Sequence, residues 1–419
     1  MSKFIVKGGN KLMGEITVAG NKNAALPIIA ATVLTDEECF LENVPDIIDV
    51  RAMLELLKYL GKNVENIDKN TVRITGKVNN SDIDKSLAGR IRASILYMGP
   101  LLARTGHVYL PPPGGCVIGL RKVDSHLEVI TALGAIMEND EHGYKATLKN
   151  PKPASIFLKE SSVTATENAL MLASSITGET TIENAASEPH VGDLAEVLIK
   201  MGVHIEGIGT NRLSIKGKSN LKGFKHKIMA DFIEAGTFAI AAAATNGDLI
   251  INNAEKKHLK MTVFQLEQLN VKYEFIDDNR LRIFPSELIA YTDKIKVGLW
   301  PNFPTDLLSP YIVLATQAKG SILCHDWMFE SRMFFVDKLI AMGANIIQCD
   351  PHRVVVNGAT KLHGQNLSSP DIRAGVALVI AALCAGGVSE IDKAELVDRG
   401  YEDIVGRLNS IGADIKRLV

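Results

Sequence analysis

Several things are missing from this 419-residue sequence, and each absence closes off a class of function. Its five cysteines, Cys39, Cys116, Cys324, Cys349 and Cys384, are scattered without Cys-x-x-Cys spacing. That argues against a zinc site or a disulfide framework and leaves reduced thiols as the default. Charge of one sign is missing too: Lys and Arg total 46 against 48 for Asp and Glu, so no global field draws the chain to nucleic acid or to an anionic membrane. Any basic site is therefore local. The longest nearly apolar stretch, Ala374 to Val388, falls short of the roughly 20 residues of a membrane-spanning helix and is rich in Ala and Gly. It reads as a buried helix. The first residues lack the apolar run of a signal peptide and read as a short alternating strand, so a cytoplasmic location is expected. A low-complexity linker is also absent, which favours a short double-strand hinge between domains.

What is present is repetition. An amphipathic helix ending in a Leu-Gly-Ala-like turn and leading into a strand occurs six times, at Leu60-Gly61, Leu133-Gly134, Met201-Gly202, Leu269-Asn270, Met342-Gly343 and Ile411-Gly412, with spacings of 73, 68, 68, 73 and 69 residues. The Gly or Asn after each helix suits a left-handed cap. A second phrase precedes it: an apolar helix that stops at Gly106, Gly178, Gly247, Gly320 or Gly387, followed by a short β-rich run. The expected apolar helices are Ala25 to Leu34, Ala93 to Leu102, Ala169 to Ile176, Phe238 to Ala244, Tyr311 to Ala318 and Gly375 to Cys384. A helix that is apolar on nearly every face is enclosed by protein, so these lie inside, with sheets and amphipathic helices outside.

The sixth copy has no room for the strand that Val72-Arg73-Ile74 supplies in the first, and Phe4-Ile5-Val6 is the segment available to fill that gap. The length itself predicts two or three domains. The repeats predict two three-repeat domains, one over 21–229 and one over 230–419 plus 1–20, with a cleft between them.

Charged and polar residues gather where the buried helices begin: Lys22 and Asn23, Arg90 and Arg92, Glu167, Asp231 and Glu234, Asp306, and Asp371 with Arg373. Helix N-termini carry unpaired amides and a positive dipole end, and several directed at one place make an anion site. Asp and Ser at such positions read equally well as N-caps. Lys22 and the arginines do not, because a cation opposes the dipole there, and they point to a phosphate or carboxylate partner. The segment Pro111-Pro112-Pro113-Gly114-Gly115-Cys116-Val117-Ile118-Gly119-Leu120-Arg121 reads as a lid whose cysteine, beside Arg121, is a candidate acid or nucleophile. A lone loop cysteine is, on that evidence alone, more often inert.

Taken together, Gly20-Asn21-Lys22-Asn23-Ala24-Ala25-Leu26-Pro27, the Gly-Gly-Cys loop, Phe303-Pro304-Thr305-Asp306, Glu330-Ser331-Arg332, Asp371-Ile372-Arg373 and Asp398-Arg399-Gly400-Tyr401-Glu402 resemble the UDP-N-acetylglucosamine enolpyruvyl transferases, which catalyse the first committed step of peptidoglycan synthesis. The resemblance spans the whole chain in order. It implies a two-domain inside-out α/β barrel, with the 21–229 domain binding the nucleotide-sugar and carrying a mobile Cys116 lid, and the other domain catalytic. It further implies that Lys22, Arg121, Arg332, Arg373 and Arg399 hold phosphoenolpyruvate, that Asp306 is the general base, and that Cys116 is the general acid at C3 and able to form an adduct at C2. Lys22 counts among the catalytic residues as well. The acceptor residues implied are Asn23, Arg92, Asp124, Ser162, Val163, Thr164 and Asp306. No metal or organic cofactor is implied, because cationic side chains match the developing charge.

The resemblance is weaker around the acceptor. Lys122 stands for a usual proline, Glu160 for a lysine beside the diphosphate, Thr164 for a glycine and Phe232 for an arginine. These departures motivate an alternative, an enolpyruvyl transferase acting on another nucleotide or sugar in secondary metabolism. A non-catalytic binding protein on the same scaffold is a third reading, opposed by the retention of Lys22, Cys116, Asp306 and the arginines.

Overall fold

The computed structural model describes residues 2–114 and 122–418. They divide into two compact units, one of residues 20–114 and 122–229, the other of 2–19 and 230–418.

In the 20–229 unit three apolar helical segments form the centre: Lys22–Ala31, the continuous pair Arg92–Tyr97 and Met98–Thr105, and Val163–Ala173. In the other unit the same place is taken by Phe232–Ala244, Leu308–Gln317 and Ile372–Cys384, which pack on one another. Every residue of Phe232–Ala244 is buried. Small residues permit this packing. A Cβ on Gly236 would lie 2.6 Å from the Leu307 side chain, and one on Gly375 would lie 2.8 Å from Val397. The architecture is the inside-out α/β arrangement that the repeats predict.

Several expected helices start too late. Lys22–Ala31, Val163–Ala173, Phe232–Ala244 and Ile372–Cys384 begin three to six residues before the expected Ala25, Ala169, Phe238 and Gly375. Their starts are set by Asn21, Ser162, Asp231 and Asp371, whose side chains accept from first-turn amides. Polar first turns hid these starts from a search for apolar runs. The expected helix Ala93 to Leu102 is likewise corrected, because Arg92–Tyr97 is a 3-10 segment and the α-helix starts at Met98. Pro100, with no N–H to give to a carbonyl four residues back, falls in the first turn of that α-helix.

The outer helices Ile48–Tyr59, Asp124–Ala132, Pro189–Lys200, Lys256–Glu267, Val336–Ala341 and Ile404–Ser410 run into the six expected turns. Gly61, Gly134, Gly202, Asn270, Gly343 and Gly412 have φ of 107°, 104°, 103°, 62°, 99° and 100°, so all six residues adopt the left-handed conformation anticipated for them.

Among the described residues the strands form five four-stranded sheets and one three-stranded sheet, three sheets to a unit. Three sheets are completed by distant segments, one of them by Met13–Thr17, which pairs parallel with Asp248–Asn252. Phe224–Lys227 pairs parallel with Cys39–Glu42 and closes the 20–229 unit on itself. Lys3–Lys7 lies between Val388–Asp392 and Asp414–Leu418, antiparallel to both, with Phe4 opposite Ile391 and Arg417. It takes the place that Thr71–Thr75 holds in the first sheet, between the strand after the buried helix and the strand after the outer helix. No helix among the described residues is long and apolar enough to cross a membrane.

Two consequences are measurable. Phe4 is fully buried, so Phe4→Ala should cost about 3–5 kcal/mol in denaturant unfolding. Glu167, on Val163–Ala173, is buried with Oε1 lacking a hydrogen-bond partner among the described residues. Burial, with the Glu188 charge adding to it, pushes its carboxyl well above the usual range. The folded state therefore keeps a proton that the unfolded chain releases above about pH 4.3, and stability falls as pH rises through the folded value. Glu167→Gln should raise the melting temperature more at about pH 8 than at about pH 5.

Candidate active site

In the 230–418 unit the acidic residues at the buried helix starts do different things. Asp231 accepts from the amides of Ile233 and Glu234, and Asp371 from those of Arg373 and Ala374, so both are N-caps. Asp306 caps nothing. It sits in the single turn Thr305–Leu307 ahead of Leu308–Gln317. Its Oδ1 accepts from Arg332 Nη2 at 3.1 Å and its Oδ2 from Arg373 Nε at 3.0 Å.

Asp326 holds this turn in place. It is completely buried; one carboxylate oxygen accepts from the Thr305 hydroxyl and the other from the amides of Met328 and Phe329 at 2.8 and 3.2 Å. Arg332, only 2 % exposed, also lies 3.8 Å from Asp326 and 3.9 Å from Asp371. Its cation is thus surrounded by three carboxylates, which a buried guanidinium requires. For Arg373, burial works against the charge, yet Asp306 and Tyr401 outweigh it and hold the guanidinium above its usual pKa. Burial also keeps the Tyr401 phenol protonated. Thr237 gives its hydroxyl proton to the Ile233 carbonyl, so it accepts from Tyr401, and Tyr401 in turn accepts from Arg373 Nη1 at 3.0 Å. One proton chain therefore fixes the orientation of Arg373.

Arg399 is half-buried at the end of Ala394–Arg399. The following Gly400 packs so tightly that a Cβ there would be 2.6 Å from Ile372 and 3.9 Å from Arg373. The structure thus gathers Asp306, Arg332 and Arg373 into one cluster and brings the segment carrying Arg399 against it. Both guanidiniums present planar forks, the donor geometry that matches an anion with planar oxygens bidentately.

In the 20–229 unit, Lys22 Nζ is 3.0 Å from Asp49, and both side chains are largely buried. Asn23 follows it in the first turn of Lys22–Ala31. Arg92 donates to the Lys122 carbonyl at 3.1 Å, which ties the start of one helix to the segment ahead of Asp124–Ala132. Asp124 opens that helix. Ser162 caps Val163–Ala173, and Val163 and Thr164 form its first turn. Cys116 and Arg121 lie outside the described residues. Burial pushes the thiols of Cys39, Cys324 and Cys384 to about 12, so none of the three is a thiolate near neutrality.

Of the residues where the resemblance weakens, Glu160 is exposed and Thr164 bonds His126 at 3.0 Å. Phe232 is buried, with ring centroids 5.5 Å from Trp300 and 6.1 Å from His258. An aromatic cluster occupies the position where a cation was expected. Residues that sequence reasoning missed are Asp49, Asp326, Thr237 and the hydroxyl of Tyr401. Each matters through a partner at least 21 positions away, and no local pattern marks it.

The family model of EPSP synthase (3-phosphoshikimate 1-carboxyvinyltransferase) matches residues 6–408. The crystal structure of the enolpyruvyl transferase NikO from Streptomyces tendae superposes with a TM-score of 0.90 at 22% identity, covering 99% of this chain and 98% of that one. The family model, matched over residues 6–408, makes the chain a member of the carboxyvinyl, or enolpyruvyl, transferases. Within that class, the UDP-N-acetylglucosamine 1-carboxyvinyltransferase of Treponema denticola is 47% identical over 423 residues, 99% of each chain. That of Bradyrhizobium diazoefficiens is 46% identical over 426 residues, covering 99% of this chain and 98% of its own. The chain belongs to the UDP-N-acetylglucosamine 1-carboxyvinyltransferase family.

Because Tyr401 links Arg373 to Thr237, Tyr401→Phe should destabilise the protein by about 1–2 kcal/mol, read from thermal or denaturant unfolding.

Proposed function

We propose that this protein transfers the enolpyruvyl group of phosphoenolpyruvate to the 3-hydroxyl of UDP-N-acetylglucosamine with release of phosphate, the first committed step of peptidoglycan synthesis, in the cytoplasm. The observation that carries the reading is the Asp306 carboxylate held between Arg332 and Arg373, in a chain that matches enzymes of that name over nearly its full length. Those relatives favour UDP-N-acetylglucosamine over another acceptor.

In this reading Asp306 accepts the proton of the attacking sugar hydroxyl while Asn23 orients the acceptor. The hydroxyl oxygen bonds to C2 of phosphoenolpyruvate and C3 gains a proton from Cys116, giving a tetrahedral ketal. Loss of a proton from C3 and of the phosphate from C2 then restores the double bond. Cys116 is also placed to form an adduct at C2. Lys22, Arg121, Arg332, Arg373 and Arg399 bind the phosphate and carboxylate of the substrate trianion. Guanidiniums already aimed and already charged need no reorganisation as charge develops, so the reading requires no metal or organic cofactor. Arg92, Asp124, Ser162, Val163 and Thr164 hold the acceptor in the nucleotide-sugar-binding domain. Arg332 and Arg373 exchange Asp306 for substrate oxygens, which frees the carboxylate for its task as base. The segment Pro111 to Arg121 supplies the lid expected from the sequence.

Phosphate release from phosphoenolpyruvate with UDP-N-acetylglucosamine tests the reading. Robust release is expected, falling by at least about 100-fold in Asp306→Ala and in Cys116→Ala, with phosphoenolpyruvate binding retained in Asp306→Ala. Release only with a different nucleotide or sugar would move the protein to the alternative acceptor. Near-normal turnover of Asp306→Ala would remove that residue from the mechanism.

A further inference from the structure

Asp326 joins the turn that carries Asp306 to the segment that carries Arg332. Its Oδ2 accepts from the hydroxyl of Thr305, the residue before Asp306. Its Oδ1 accepts from the amides of Met328 and Phe329, at the start of the segment that runs to Arg332. The backbone at Asp326 is pinned as well. Its N–H donates to the His352 carbonyl at 2.9 Å, and His352 Nδ1 donates to the Asp326 carbonyl at 2.7 Å. Asp326 is completely enclosed, whereas 28 % of the Asp306 side chain is exposed. These two carboxylates beside Arg332 are therefore unlike: Asp306 is open to a substrate and Asp326 is closed off from one.

Arg332 has one donor left over. Its Nη2 bonds Asp306, but its buried Nε has no hydrogen-bond partner among the described residues and lies 3.8 Å from Asp326 Oδ2. A buried charged donor left unbonded is costly, which favours a state in which it closes on a carboxylate. We propose that Asp326 is a positioning residue for the general base: through Thr305 it aims Asp306 at the acceptor hydroxyl, and as the standing counterion of Arg332 it lets that arginine give Asp306 up when substrate binds. The inference rests on the reading of Asp306 as the base. With Asp326 in place, Arg332 turns to substrate without losing its counter-charge, Nε closing the gap to Oδ2. Without the charge at 326, more of the Arg332 field falls on Asp306, which stays paired and is a weaker base. Of the other charged and titratable groups near the pair, Asp371 lies 3.9 Å from Arg332, and Tyr401 and Asp231 act on Arg373. Substitution at 326 or 305 leaves all three in place.

Steady-state phosphate release by the full-length protein from about pH 5 to 9, with thermal melting of each variant, tests this. Thr305→Val removes the bond that aims the turn and keeps the Asp326 charge. Its kcat should fall about 10- to 100-fold, its phosphoenolpyruvate KM should stay within about 2-fold of wild type, and Thr305→Ser should recover most of the loss. Asp326→Asn removes the charge. Its kcat should fall as well, and the acid limb of its pH–kcat profile should move to lower pH by at least about half a unit, because a carboxylate beside less compensated cations holds its proton less tightly. A merely structural loosening would carry Asp306 away from the guanidiniums and move that limb to higher pH. Near-normal kcat in Thr305→Val, or an acid limb in Asp326→Asn that stays put or moves upward, overturns the inference. Where one variant melts below the assay temperature, the other decides. Asp306→Ala separates the two levels. Near-normal turnover there removes the base and this inference with it, whereas an inactive Asp306→Ala beside a fully active Thr305→Val overturns this inference alone. Phosphate release only with another acceptor overturns the proposed acceptor, and the same variants run with that acceptor test the inference.

Discussion

A helix with no polar face has to be surrounded, and that constraint governs the rest of this molecule. Five buried helices and one mixed 3-10 and α segment are apolar along their flanks, so the places where polar groups meet them are their ends. Their N-terminal ends carry amides that need acceptors. Asn21, Ser162, Asp231 and Asp371 satisfy those amides from within the chain. The turn Thr305–Leu307 and the helix Leu308–Gln317 have no side-chain cap, and the Asp306 carboxylate bonds Arg332 and Arg373 instead. Chemistry thus collects at helix starts because it is the one part of a buried helix where charge is tolerated.

The charged cluster illustrates how burial and electrostatics are balanced. Arg332 is almost completely enclosed, a state that would be prohibitive for an isolated cation. Three carboxylates compensate it, but each also has a second duty: Asp371 caps a helix, Asp326 fixes a turn and Asp306 bridges to Arg373. Arg373 is fixed differently, through a phenol and a threonine whose donor directions follow from one backbone carbonyl. Both guanidiniums are therefore oriented before any ligand arrives, the condition under which fixed charges stabilise a transition state most effectively.

Much of this was legible in the sequence, and the reason is periodicity. Six Gly or Asn residues at spacings near 70 mark left-handed turns, and their conformation follows from steric rules at a single residue. The missing strand of the sixth copy was legible as a gap in the repeat, which Lys3–Lys7 fills. Helix starts were not, since the first turns at Lys22, Val163, Phe232 and Ile372 are polar or capped and blur the apolar pattern. Of the site, the charged residues themselves could be listed from motifs, whereas their pairings could not. Lys22 with Asp49, Thr305 with Asp326 and His126 with Asn168 join residues separated by 27, 21 and 42 positions, and only folding brings them together. Phe232 misled for a related reason: its aromatic neighbours Trp300 and His258 are distant in the chain.

The strand Lys3–Lys7 has a further meaning when the chain is considered in time. It is made well before both of its neighbours, Val388–Asp392 and Asp414–Leu418. At synthesis rates of about 5–20 residues per second, it waits some tens of seconds for partners. By contrast, the sheet closed by Phe224–Lys227 draws all its strands from residues 39–227, so that unit can finish while the ribosome is still translating the second. The order of folding is thus written into the connectivity. An early strand kept unpaired is a temporary liability for aggregation, and Lys3 and Lys7 at its two ends are the kind of charged residues that hold such an edge apart until its sheet exists.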